Sequence, residues 1–375
     1  MKIAIDVSLA VGDSAGVGSY TRGLLEGLSA IDAENEYLLY SYLDFPDAPQ
    51  PLLPHKPNFS LRRLPLEGEH WERMWYGADL PPKEALEAVD VLHSTFFNAP
   101  KEHYGALVVT IYDVSFVLQP QFHIEANRLH CLQGTLNAAL YADRIIAISM
   151  QTKQDLMDYF SIPAERIRLI HAAPSKIYSP ERNVKVIRGA LERFGIFRNF
   201  ILFVGSLEPR KNLKTLLQAY ARYRQRYSSE ELLVVAGGKG WLNDDLSQVV
   251  AELGITDCVK FLGYIEEADL RVLYSAAKLF VYPSIYEGFG LPPLEAMACG
   301  APVITSNTSA LPEVVGDAAT VIDPHDSEEL CQAMRMVLGS SSRRSKMRQQ
   351  GLERAKRFSW ERAARETLAV YREIS

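Results

Sequence analysis

Much of the chemistry open to this 375-residue chain is narrowed by what it lacks. Its four cysteines, Cys131, Cys258, Cys299 and Cys331, lie far apart and form no CxxC pair. That scatter speaks against a disulfide framework and points to reduced, mostly buried thiols in a cytosolic protein. No Asp-x-Asp occurs, and no His/Cys cluster has zinc spacing. No run approaches the ~20 apolar residues of a spanning helix. The opening MKIAIDVSLA is too short an apolar run for a signal peptide, and it carries Asp6. Membrane contact is therefore expected to be peripheral at most. Positive charge is not in excess either: 40 Lys and Arg face 46 Asp and Glu, for a net −6. Nothing in that balance suggests a nucleic-acid partner.

What is present is an ordinary globular composition, 47% hydrophobic and 23% charged, long enough for two domains. KIAIDV, EYLLYSYL, VDVLHS, ALVVTIY and RIIAIS read as buried strands, because their apolar residues are contiguous rather than alternating. GVGSYTRGLLEGLSAI and ANRLHCLQGTLNAALYA between them have helical spacing. A second series follows, with strands FILFVG, ELLVVAG, CVKFLG, KLFVYP and PVITS separated by helices. The fold class is thus α/β, two Rossmann-like domains in tandem facing a cleft. The boundary is placed near YSPERNVK, giving domains 1–180 and 181–358. Ser359, followed by Glu361 and Glu366, reads as a fresh helix start. Residues 359–375 are expected to cross back onto the first domain. The alternative is one kinked helix that stays with the second.

Residues 284–300 read SIYEGFGLPPLEAMACG. Gly288 and Gly290 let a ligand approach the main chain. Pro292 and Pro293 suit only the first turn of a helix. Glu287 therefore belongs to a loop, Glu295 to the first turns of a helix, and the helix N-terminus favours an anion. The bland alternatives are a surface loop charge for Glu287 and a dipole-serving carboxylate for Glu295.

EGFGLPPLEAMACG resembles the E-x7-E signature of family 4 retaining glycosyltransferases, which have the GT-B fold. APVITSNTSALPEVVGDAA, VGSLEPRKN and the terminal FSWERAA resemble that family too. The resemblance covers nearly the whole chain and is strongest from residue 200 to 324. It implies that Glu287 faces the donor sugar's hydroxyls and that Glu295 accepts hydrogen bonds from ribose. It implies that backbone N–H groups of Phe289, Gly290 and Leu291 hold sugar or phosphate oxygens. Arg210 and Lys211, beside the Gly205–Ser206 turn, match the basic pair that grips the diphosphate. Fixed cations and a helix N-terminus would stabilise the charge that develops on that leaving group. Alone, the basic pair would read as a solvated turn.

Other candidates are weaker. Gly16 and Gly18, in GDSAGVGSY, open a strand-to-helix turn that resembles the family's approach to the donor; such turns are often plain tight turns. TIYDVSF follows a strand and should point into the cleft. Family members often carry His-Asp there, whereas this chain has Tyr112-Asp113. Asp113 is then a candidate to touch acceptor or sugar, or a turn-forming Asp. His93 either lines the cleft or satisfies a backbone group. Gly263 and Tyr264 match the segment that walls the base; Tyr264 could instead cap the core. In HWERMWYGADLPP, Trp71, Trp75 and Tyr76 have helical spacing and read as packing, or as an acceptor or dimer contact if exposed. Asp113, Arg210, Lys211 and Glu287 form the candidate catalytic set.

The resemblance implies transfer of a hexose, mannose or glucose, from a GDP- or UDP-sugar with retention. The acceptor would be a saccharide or lipid-linked saccharide in surface polysaccharide synthesis. Fixed cations can replace a divalent ion at the diphosphate, so neither metal nor cofactor is expected. The two glutamates would orient the donor and not flank one bond like a glycosidase pair; neither needs a raised pKa. The expected location is the cytoplasm, with peripheral contact at the inner membrane face. The runner-up is a nucleotide-sugar epimerase or phosphorylase-like enzyme on the same architecture, although no base for abstracting a carbon-bound proton stands out. An NAD-dependent dehydrogenase fits poorly, because the glycine turn is G-x-G-x4-G and LLYSYL lacks the acid expected on a ribose. A non-catalytic sugar binder would leave the anion-binding groups without a purpose.

Overall fold

The computed structural model describes residues 1–10, 16–42, 54, 56–64, 88–97, 99–101, 103–238, 240 and 246–375. The aromatic stretch 70–82, with Trp71, Trp75 and Tyr76, lies outside them. The chain divides into two compact units, Met1–Ala173 with Phe358–Ser375, and Pro174–Arg357. The division falls before the expected linker because residues 178–181 dock on the second unit. Tyr178 packs edge-on against Tyr274 at 5.8 Å. Glu181 pairs with Arg271 at 3.2 Å, and its N–H donates to Ser275 Oγ at 2.9 Å.

In the first unit, β1 (Lys2–Asp6), β2 (Glu36–Ser41), β3 (Phe59–Arg63), β4 (Val91–Ser94), β5 (Ala106–Ile111), β6 (Arg144–Ala147) and β7 (Ile167–Leu169) form a parallel sheet. Its order is β3-β2-β1-β4-β5-β6-β7. The second holds β8 (Phe200–Val204), β9 (Leu232–Ala236), β10 (Val259–Gly263), β11 (Leu279–Tyr282), β12 (Val303–Ser306) and β13 (Thr320–Ile322). Their order is β10-β9-β8-β11-β12-β13, again all parallel. Both are doubly wound α/β sheets in which the strand order reverses between β1 and β4 and between β8 and β11. Loops leaving the carboxyl ends of those strands are where such folds bind ligands. Strands covered on both faces, such as β8 and β9, are buried along their whole length. Edge strand β3, FSLRR, is exposed at Ser60, Leu61 and Arg63, so it carries no apolar run to betray it. Among the described residues, no helix is long and apolar enough to cross a membrane.

The last helix, Trp360–Ile374, belongs to the first unit. Ser359 caps it, accepting from the Arg362 N–H at 3.2 Å. Trp360, Ala363, Ala364, Thr367, Leu368 and Tyr371 form its buried stripe. The stripe lies on the helix Val17–Ile31, where Gly23 and Gly27 leave room for it. A Cβ on Gly23 would sit 2.0 Å from the Trp360 ring. Glu373 then ties the helix end to Arg144 at 2.7 Å and to Arg168.

His93 neither lines a pocket nor serves a backbone group. It is fully buried in β4, with Nδ1 2.6 Å from the Tyr371 hydroxyl and Nε2 2.8 Å from the Thr110 hydroxyl. It joins the last helix to the sheet as a neutral ring, and burial pushes its pKa down to about 3. Below pH ~6.5 the unfolded chain takes up a proton that the folded chain refuses. Stability should therefore fall by about 1.4 kcal/mol per pH unit between pH ~6.5 and ~4.5 from this residue alone. Urea unfolding across that window should show the slope in the native chain and a flatter one in His93→Gln.

Candidate functional site

The loops after β8 and β11 meet at the second sheet's reversal point, and several bonds fix them there. The Arg210 carbonyl accepts from the Ile285 N–H at 2.9 Å and from Ser284 Oγ at 3.1 Å. Asn212, in the left-handed region at φ 57°, donates its side-chain amide to the carbonyls of Pro283 at 3.0 Å and Pro324 at 2.6 Å. The β9 loop closes on the same place. A Cβ on Gly237 would lie 1.8 Å from the Gly205 carbonyl oxygen, so only glycine lets these backbones touch.

Within this frame the structure brings together three of the four candidate catalytic residues. Glu287 is 7% exposed and fully engaged. Its Oε1 accepts from Lys211 Nζ at 2.7 Å, Tyr282 OH at 2.8 Å and Ser284 Oγ at 2.6 Å. Its Oε2 lies 3.0 Å from an Arg210 terminal nitrogen. Burial pushes its pKa up, but the charges of Arg210 and Lys211 and bonds from Lys211 and Ser284 outweigh it and hold the carboxyl at about 2. A second carboxylate, Glu208, binds Arg210 at 2.8 Å and stands 3.6 Å from Lys211. The basic pair is thus not an open grip: two cations and two carboxylates form a compact, nearly neutral cluster. Sequence reasoning missed Glu208, although it lies inside VGSLEPRKN; nothing in its spacing says that the turn folds inward.

Glu295 sits in the first turns of the helix Leu291–Ala298, which starts at Gly290 with φ 106° and takes Pro292 and Pro293 into its first turn. The one hydrogen bond to its carboxyl among the described residues comes from Tyr274 OH at 3.1 Å. Burial and the charge of Glu267 outweigh that bond and raise its pKa to about 8. The expected mechanism needs no raised pKa at either glutamate, but Glu295 has one, because among the described residues no cation reaches it to repay its desolvation.

The remaining candidates are dispersed or otherwise occupied. Phe289 is buried, and Leu291 is the first residue of the helix. Ser206 accepts from the Glu208 N–H at 2.9 Å through its carbonyl. Gly263 ends β10 at φ 72°, and Tyr264 beside it is 62% exposed, so it does not cap the core. In the first unit, Gly16 precedes the helix Val17–Ile31 at φ 65°, and Gly18 is buried within that helix. Asp113 spends one oxygen on its own turn, accepting from the Ser115 N–H at 2.8 Å and Ser115 Oγ at 2.6 Å. Tyr112 is buried, and its hydroxyl donates to the Thr95 carbonyl. Among the described residues, no group of His, Cys, Asp and Glu is placed to hold a metal ion.

Residues 194–354 match the family described as "Glycosyl transferases group 1", and residues 14–173 match "Glycosyltransferase Family 4". The O-antigen chain mannosyltransferase B of Escherichia coli is 33% identical over 376 aligned residues, covering 95% of this chain and 96% of that protein. Among solved structures, sucrose-phosphate synthase from Thermosynechococcus elongatus superimposes with a TM-score of 0.77 at 23% identity, over 99% of this chain and 98% of that one. HepE from Anabaena, in complex with UDP-glucose, gives 0.76 at 18% identity over 100% of both chains.

Lys211→Met should strand the buried Glu287 charge and destabilise the chain by about 3–5 kcal/mol at neutral pH. Glu287's contribution is complete above pH ~4.5 and is lost as pH falls toward 2, so the variant's deficit should shrink in acid. Urea unfolding of both proteins at pH 7 and pH 4 measures the difference; an equal deficit at both would contradict the assigned pairing.

Proposed function

Because this chain belongs to the group 1 glycosyltransferases of family 4, and so is a glycosyltransferase of the GT-B fold, we propose that it moves mannose from a nucleotide-sugar to a growing saccharide. The observation that carries this reading is the buried Arg210–Lys211–Glu287 cluster at the reversal point of the second sheet. A diphosphate arriving there meets two preorganised cations, held beside a carboxylate that keeps its charge. Mannose, and an O-antigen-like saccharide or lipid-linked acceptor, come from the E. coli relative's activity. A GDP- or UDP-linked donor is in keeping with the UDP-glucose held by the HepE neighbour.

In this reading the anomeric C–O bond to the phosphate breaks while the acceptor hydroxyl oxygen bonds to the same carbon on the same face. The hydroxyl proton passes to the leaving phosphate oxygen, and configuration is retained. Arg210 and Lys211 neutralise the charge on the diphosphate, so the reaction needs no metal. Glu295 receives the ribose hydroxyls. The enzyme works in the cytoplasm at the inner membrane face. Supporting that placement, Ile124, Leu129, Leu136 and Leu140 are 50%, 41%, 43% and 70% exposed on and beside the helix Glu125–Tyr141.

Incubation with GDP-mannose, GDP-glucose, UDP-glucose and UDP-galactose, a mannosyl acceptor and EDTA should give transfer from GDP-mannose above the rest. NMR of the product should show the donor's anomeric configuration, and Lys211→Ala should lower kcat roughly 100- to 1,000-fold. Free sugar or an epimer as sole product, or loss of transfer in EDTA, would overturn the reading. Ribose hydroxyls bind best to an ionised carboxylate, and Glu295 gives up its proton only near pH 8. GDP affinity should therefore rise by up to ~10-fold per pH unit from pH 6 and level off near 8. Titration calorimetry should lose this slope in Glu295→Gln.

A further inference from the structure

Glu287 cannot serve a sugar as the structure stands. Both its oxygens are spent, on Lys211, Tyr282, Ser284 and Arg210. Freeing it requires that the cations have somewhere else to go. The place is next to them. Glu208 is 5% exposed, one oxygen already holds Arg210 at 2.8 Å, and that oxygen stands 3.6 Å from Lys211 Nζ. Its other oxygen, Oε2, is buried and has no hydrogen-bond partner among the described residues. A buried carboxylate oxygen left unmatched is costly, and it is tolerated where it becomes an acceptor in a second arrangement of the same groups.

We propose that Glu208 is a positioning residue for transfer: it takes over Lys211 and keeps Arg210 in place as the donor diphosphate arrives, which releases Glu287 to the sugar. This rests on the reading of Arg210 and Lys211 as the diphosphate site. The move is short. Lys211 swings from a carboxylate at 2.7 Å to one at 3.6 Å, and its ammonium remains beside the phosphates throughout. The backbone need not shift, because Asn212 and the bonds to the Arg210 carbonyl pin the turn. Charge is conserved in the cluster, so the exchange costs no further desolvated ion.

The exchange predicts an outcome that simple electrostatics and a purely structural role do not share. Glu208→Gln removes a negative charge near the diphosphate, so GDP should bind as tightly as before or tighter. Turnover of GDP-mannose should nonetheless fall at least 10-fold, because Glu287 stays locked on both cations. In a double-mutant cycle, Glu208→Gln should cost little in a Glu287→Gln background, since it acts through that residue. Glu208→Asp, charged but shorter, should recover part of kcat and serves in place of Glu208→Gln should the latter fail to fold. GDP titration calorimetry and kcat for GDP-mannose are measured on each variant. A parallel fall in GDP affinity and kcat, or additive losses in the cycle, would overturn the proposal. Unchanged GDP binding in Lys211→Met would instead remove the diphosphate reading on which it stands.

Discussion

A carboxylate taken out of water must have its charge matched in place, and at Glu287 that requirement organises the loops at the reversal point of the second sheet. Two cations, a phenol and a hydroxyl converge on its oxygens. They come from the ends of β8 and β11, so satisfying one charge locks two loops together. The locking matters because loops with few buried contacts open readily, whereas parting the members of a buried ion cluster leaves an uncompensated charge. Groups fixed this way are oriented before any anion approaches, and preorganisation is what makes such dipoles and charges effective.

The two glutamates of the E-x7-E stretch are a pair only in sequence. The seven intervening residues break any helical relation, and each glutamate inherits a different neighbourhood. Glu287 reaches back to the β8 loop and its cations, and its pKa sits at about 2. Glu295 lies among Tyr274, Tyr178 and Cys299, and burial with the charge of Glu267 raises its pKa to about 8. One carboxylate is a permanent charge; the other mostly keeps its proton at neutral pH. The stretch is poor at regular structure because its task is to deliver two carboxylates into environments of opposite sign. Gly290 and the proline pair make the change from loop to helix abrupt enough to do so.

The sequence displayed the buried strands, the alternation with helices and the restart of the helix at Ser359, because each rests on a local pattern. It did not display β3, β7 or β13, which are short and lie at or near sheet edges, where no apolar run is needed. The basic pair and both glutamates were visible as a motif, but the ion pairing between them was not: Lys211 and Glu287 are 76 positions apart, and only the fold makes them neighbours. Glu208, Ser284 and Tyr282 escaped although they lie two to five positions from their partners, because nothing in the local pattern says that these turns fold inward. His93 was visible as a histidine at a strand end, yet its partner Tyr371 lies 278 positions away. Asp113 could be read as a cleft residue or as a turn-forming Asp, and the structure shows it capping its own turn.

That last helix has a consequence for how the chain must assemble. The second unit is continuous in sequence, whereas the first is built from Met1–Ala173 and Phe358–Ser375. The face of the helix Val17–Ile31 that carries Gly23 and Gly27 matches the Trp360 ring, and without that ring the glycines leave a groove rather than a packed surface. His93 likewise needs the Tyr371 hydroxyl to satisfy one ring nitrogen. An empty groove and an unpaired buried imidazole both destabilise. The first sheet can therefore form early, but it reaches its full stability only when the chain returns from the second unit. The ends of an entire inserted domain are joined by contacts that a glycine, a tryptophan and a neutral histidine hold in register.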